Sequence, residues 1–121
     1  KLSASHKKED LSKAVDNNTG SRWATGVSMK GGEWFTIELP TEENIAGLAL
    51  DSQGSSQDYP RKYTVEVSSN GAQSTAAAQG DGSALTEIVF KAPIKGRFVR
   101  VTQLGTASSY WGINELVLFK K

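Results

Sequence analysis

The chain of 121 residues carries a formal net charge of +1, with 37% hydrophobic and 22% charged residues. That is an ordinary balance for one globular domain able to build a core without staples, spanning residues 1–121. The absence of cysteine excludes a disulfide scaffold and a thiolate metal site. The lack of any basic block disfavours nucleic acid as a partner.

In chain order, Lys8–Val15 reads as one or two helical turns, with acidic residues early where the helix dipole favours them. A polar turn follows, and then a series of short strands. Residues 33–40 alternate cleanly: Phe35, Ile37 and Leu39 share one face, Trp34, Thr36 and Glu38 the other. Residues 45–51 form a second apolar run, ending in the polar stretch 51–62. Residues 63–69 place Tyr63, Val65 and Val67 on one side. Asn70 to Ser83 is rich in Gly, Ala and Gln and reads as a surface loop. Residues 85–90, 97–104 and 113–119 complete the set. No apolar run approaches the roughly 18 residues of a spanning helix, and no signal peptide is recognisable. Short strands at this spacing predict an all-β, antiparallel sandwich or barrel with long loops.

The turn after the first helical segment is rich in oxygen. Asp16, Asn18 and Ser21 supply side-chain oxygens within six residues, and hard cations such as calcium prefer roughly six to eight of them. The EF-hand template fails, because Ser21 stands where its glycine belongs and Val27 where its closing glutamate belongs. A cation here would need a distant carboxylate. Glu115 is the candidate, since a carboxylate set among the apolar residues of the last strand is costly unless it is paired or ligates a cation. Arg22, Arg97 and Arg100 are alternative partners, and a turn of this composition can also satisfy only its own backbone.

Catalytic constellations are missing. His6 is the sole histidine, and no Gly-x-Ser-x-Gly elbow surrounds any serine. Asp51 and Asp58 flank one polar loop without the marks of a glycosidase pair. The expectation is a protein that binds and does no catalysis.

The order of residues 12–26, 32–40, 45–51, 58–71, 96–105 and 110–119 closely resembles the discoidin, or coagulation-factor type C, superfamily. Among its members the chain looks most like the bacterial family 32 carbohydrate-binding modules. The resemblance implies a β-sandwich of jelly-roll topology, usually appended to a secreted or cell-surface glycan-active enzyme. It also implies a structural calcium held by the Lys13 carbonyl, Asp16, Asn18, Ser21 and Glu115. The usual glycine after the aspartate is here Asn17, a mild departure because asparagine tolerates a left-handed backbone.

Residues 105–116 read as a polar loop entering the last strand. For the sugar, the resemblance points to Tyr110 in that loop, an aromatic five residues before the glutamate. Trp111 either joins it or plugs the sandwich. Loop 51–62 offers Gln57, Asp58, Tyr59 and Arg61; Gln57 and Asp58 are expected at the loop tip. Arg61 is expected to pair with Asp58, cap backbone carbonyls, or face the ligand. Trp23 and Trp34 are expected in the core, Met29 and Lys30 in solvent. Galactose-binding members carry a histidine where this chain has Ala24 and an arginine near Ser52–Gln53, and a tryptophan is missing near Ser74. A galactose specificity therefore does not transfer.

Two other readings compete with a glycan-binding module. A discoidin domain for protein or lipid interaction would expose apolar loop tips, but the loops here are dominated by Ser, Gly, Gln and Asp, which disfavours a membrane. A scaffold domain packing on a catalytic partner would bury Tyr110 and Trp111 in that interface.

Overall fold

The structure is a computed structural model that describes residues 1–121. Eight strands carry it: β1 (Leu2–Ala4), β2 (Trp23–Met29), β3 (Glu33–Asp51), β4 (Lys62–Ser68), β5 (Ser74–Asp81), β6 (Leu85–Gln103), β7 (Ala107–Ile113) and β8 (Glu115–Lys120). A 3₁₀ helix covers Lys8–Ala14, so the predicted helical turns form in the tighter geometry.

The two long strands organise everything. β3 and β6 pair antiparallel in separate stretches, Glu33–Glu38 against Phe98–Gln103 and Gly47–Asp51 against Leu85–Val89. The first stretch belongs to the layer β1-β3-β6-β4-β5; in the second, β8 joins the other side of β3. The ladder is irregular between Glu38 and Glu43 and between Ile45 and Gly47. Pro40 and Pro93 sit in those interruptions, where a residue without an N–H costs no ladder bond. Each pair of runs that sequence alone separates, 33–40 with 45–51 and 85–90 with 97–104, is thus one bent strand. The antiparallel sheets pack as a β-sandwich, as expected.

The alternation predicted for β3 holds in part: Phe35 and Leu39 are buried and Ile37 is half-buried, but Thr36 on the opposite face is buried as well. Trp23, Trp111 and Phe35 fill one end of the core. Trp23 meets Phe35 edge-on at 5.0 Å and Trp111 edge-on at 5.1 Å between centroids. Such pairs contribute about 0.5–1.5 kcal/mol each beyond their burial. The Trp23 indole N–H donates to the His6 carbonyl at 2.9 Å, fastening the N-terminal segment.

Several local expectations are corrected. Met29 is buried, because its position on β2 pairs with Ala107 on β7 and faces the core. Trp34 lies half-buried on the outer face, with the Arg100 guanidinium 4.0 Å above its ring. The Asn70–Ser83 segment contains β5, held by its register against β4 despite three alanines; tertiary pairing overrides their weak strand propensity. Residues 107–113 likewise form β7 against β2 in a two-stranded sheet.

Candidate functional site

The oxygen-rich turn leaves the 3₁₀ helix with Asn17 in the left-handed region, φ 58°. Asp16 Oδ1 accepts the Asn18 N–H at 3.0 Å, and Asp16 Oδ2 accepts the Ser21 hydroxyl at 2.5 Å. The Ser21 hydroxyl holds the Asp16 carboxyl below its usual range. Asn18 Oδ1 accepts the Gly20 N–H at 2.9 Å. Lys13 sends its ammonium to Asp10 at 3.1 Å, leaving its carbonyl as the only ligand it can offer.

Glu115 opens β8 and stands opposite Asp51 of β3 in the ladder. Its carboxyl is pushed up by burial and by the charges of Asp16 and Asp51, with the Asn17 and Asn18 N–H groups acting the other way. Its Oε1 is buried and accepts no hydrogen bond. None of the three candidate arginines pairs with it: Arg22 binds Asp58, Arg97 binds Glu38, and Arg100 donates to Thr36. No three His, Asp or Glu residues converge, so a cation here would draw on two carboxylates plus carbonyl, amide and hydroxyl oxygens. An all-oxygen donor set with an orphaned buried carboxylate oxygen fits a hard cation.

The turn is braced from behind by a residue that sequence reasoning missed. Asn114 is buried at the β7–β8 junction, and its amide donates to the Thr19 carbonyl at 2.9 Å. Gly54 of the 51–62 loop closes over both. A Cβ there would lie 2.8 Å from the Thr19 oxygen and 2.5 Å from the Asn114 amide nitrogen, so only glycine permits the approach.

The same loop packs on β7. The Ser52 hydroxyl donates to the Gly112 carbonyl at 2.8 Å, and the Gly112 N–H donates to the Asp58 carbonyl at 2.8 Å. Tyr110, two residues earlier on β7, is 43% exposed and stands opposite Ser28 of β2. Gln57 is exposed on the loop. Tyr59 is half-buried under the Arg61 guanidinium, 3.9 Å from its ring centroid, and Arg61 also donates to the Tyr59 carbonyl at 2.8 Å. Of the roles expected for Arg61, the structure shows the carbonyl cap and no pairing with Asp58.

Two ligand candidates are corrected. Trp111 is fully buried against Trp23 and offers no face to a ligand. Asp58 does not project from the loop tip; it turns inward to the Arg22 guanidinium, tying the loop to the residue after the oxygen-rich turn.

A second buried network underlies the loop, again unforeseen. Gln103 accepts the N–H groups of Arg61 at 3.2 Å and Gly105 at 2.7 Å, and donates to Glu33 at 3.0 Å. Glu33 in turn accepts the N–H groups of Lys30 and Gly31. The signal was available for both residues, since Gln103 continues the inward series Val99, Val101, and Glu33 precedes Phe35 by two.

The family model described as "F5/8 type C domain" matches residues 1–116. The family 32 module of C. perfringens NanJ, solved in complex with galactose, superposes with a TM-score of 0.82 at 19% identity, over 98% of this chain and 91% of that one. Chitosan-binding module 2 of a chitosanase/glucanase from Paenibacillus sp. IK-5, solved with chitotriose, gives 0.82 at 25% identity, over 98% and 95%. CpGH89CBM32-5 from Clostridium perfringens, solved with GalNAc-β-1,3-galactose, gives 0.81 at 20% identity, over 98% and 94%. No curated protein sequence matches the chain. The architecture is that of these carbohydrate-binding modules, and the chain belongs to the F5/8 type C domain family.

Proposed function

We propose that this chain is a non-catalytic carbohydrate-binding module that holds a structural calcium and directs an attached extracellular glycan-active enzyme to its substrate. The observation that carries the reading is Tyr110: an aromatic side chain exposed on β7, beside a loop held rigidly by Ser52, Asp58 and Gly112. A sugar ring would stack on Tyr110, and Gln57 and the Tyr59–Arg61 pair, on the loop that packs on β7 at Gly112, would serve its hydroxyls. Calcium would sit between the 13–21 turn and Glu115, joining the first turn to the last strand. Its contribution there would be stability, since it would tie two segments that are distant in the chain. The neighbours solved with galactose, chitotriose and GalNAc-β-1,3-galactose support a carbohydrate ligand.

The test is a broad glycan array probed with the domain in calcium, in chelator, and as Tyr110→Ala. A coherent set of sugars bound by the parent and lost in the variant is expected. A blank array from the folded, calcium-loaded domain would sink the reading.

A further inference from the structure

The strand that pairs with Tyr110 is interrupted beside it. β2 and β7 match Ala24 with Gly112 and Ser28 with Tyr110, so Thr25, Gly26 and Val27 stand against Trp111 alone. The extra residues bulge outward. Thr25 stays buried, and its hydroxyl donates to the Val27 carbonyl at 2.9 Å, closing the bulge from inside. Gly26, Val27 and Ser28 are exposed on the outer face with Tyr110, and Gly26 is left-handed at φ 74°. Lys7 lies on this bulge. A Cβ on Gly26 would come within 2.8 Å of Lys7 Cε and 3.7 Å of Nζ, so the lysine stem fills the space that glycine leaves. The backbone is fastened on both sides. The Trp23 indole donates to the His6 carbonyl at 2.9 Å, and the Asp10 N–H donates to the Lys7 carbonyl at 3.0 Å. Lys7 itself is left-handed at φ 51°, which costs a non-glycine residue about 1–2 kcal/mol. Its ammonium belongs to none of the five ion pairs. Asp58, the acid packed on Gly112 of the same sheet, is engaged by Arg22.

We propose that Lys7 selects for charge at the Tyr110 surface, and that the glycan bound there carries an anionic substituent, a carboxylate or a sulfate ester. The inference rests on the sugar-binding reading of Tyr110. Gly26 lies two residues along β2 from Ser28, the ladder partner of Tyr110. Strands about 4.8 Å apart, rising about 3.4 Å per residue, bring the Gly26 backbone within roughly 8 Å of that of Tyr110. A ring stacked on Tyr110 can therefore present a substituent to the Lys7 ammonium, with Val27, 41% exposed, as the apolar contact between them. An ammonium held in place and free of an internal partner gains a charge-assisted hydrogen bond from such an anion. A neutral glycan leaves it in water and gains nothing from it.

The experiment probes an array that carries uronate, sialate and sulfated glycans beside their neutral parents, and then titrates the strongest acidic hit and its neutral parent. The domain should prefer the acidic member by about tenfold or more. That preference should weaken as sodium chloride is raised, because salt screens the contact. Lys7→Met keeps the stem on Gly26 and should bring the ratio close to one, whereas Lys7→Arg should retain it; melting curves check that both variants fold. Hits confined to uronates and sialates assign the carboxylate, and hits confined to sulfated glycans assign the sulfate ester. Neutral hits that Tyr110→Ala abolishes, or an acidic preference that survives Lys7→Met, overturn the inference and leave the carbohydrate-binding reading standing. A blank array overturns both.

Discussion

Inside the sandwich, the side-chain amide of Gln103 donates to Glu33 Oε1 at 3.0 Å, joining residues 70 positions apart in the chain. Glu33 is 4% exposed, yet it remains an acid of lowered pKa. Burial works to raise it, but the Lys30 N–H, the Gln103 amide and the Gly31 N–H outweigh burial together. The same two side chains hold the β2–β3 turn and, through the Arg61 N–H, the end of the 51–62 loop.

Because its folded pKa lies below the ordinary 4.5, Glu33 contributes stability that is complete above that value. The contribution is lost as pH falls through the folded pKa. Glu33→Gln sets an amide against the N–H donors and should cost about 1–3 kcal/mol at neutral pH. Melting curves of parent and variant should converge as pH is lowered from 6 toward 3. A constant gap across that range would refute the charged state of Glu33.

Glu115 behaves oppositely, and calcium should reverse the sign of its effect. Without the metal its charge is disfavoured by burial and by Asp16 and Asp51, so Glu115→Gln should be neutral or stabilising in chelator. With calcium at one hundred times its dissociation constant, the parent should gain about 2.7 kcal/mol. The variant should gain much less. Identical melting curves for the parent in calcium and in chelator would remove the metal site.

The legible part of this molecule was its periodicity. Phe35, Leu39, Val65, Val67, Val99 and Val101 lie inside as their alternation requires. What escaped was set by contacts between distant segments. The alanines of β5 carry no strand signal, and only the register against β4 orders them. Trp111 and Tyr110 are adjacent in a polar stretch that reads as loop, and pairing with β2 sends one inward and the other out. Asn114 has no local mark at all, because its partner is the Thr19 carbonyl across the fold.

That neighbouring pair yields a contrast of binding with stability. Tyr110→Ala should abolish sugar binding and leave the melt within about 2 °C of the parent, since surface changes usually fall within about 0.5 kcal/mol. Trp111→Ala empties the site against Trp23 and should cost about 3–5 kcal/mol. Calorimetric melts with titrations of an array-identified sugar separate the two. A destabilised Tyr110→Ala would assign that ring to packing.

Arg22 and Asp58 should act on the loop more than on the fold. The pair is partly buried, with side chains 34% and 13% exposed, and it supplements the Gly112–Asp58 backbone bond without replacing it. A double-mutant cycle with Arg22→Ala and Asp58→Ala should give a coupling of about 1 kcal/mol. Removing Arg22 alone leaves Asp58 only 13% exposed and unpaired, so that single variant should be the less stable of the two. If the loop positions the sugar-facing groups, Arg22→Ala should also weaken sugar binding severalfold while Tyr110 remains in place. Binding equal to the parent's, with the predicted loss of stability, would make the ion pair a brace for the fold and leave the ligand surface to Tyr110 and its nearest neighbours on β2 and β7.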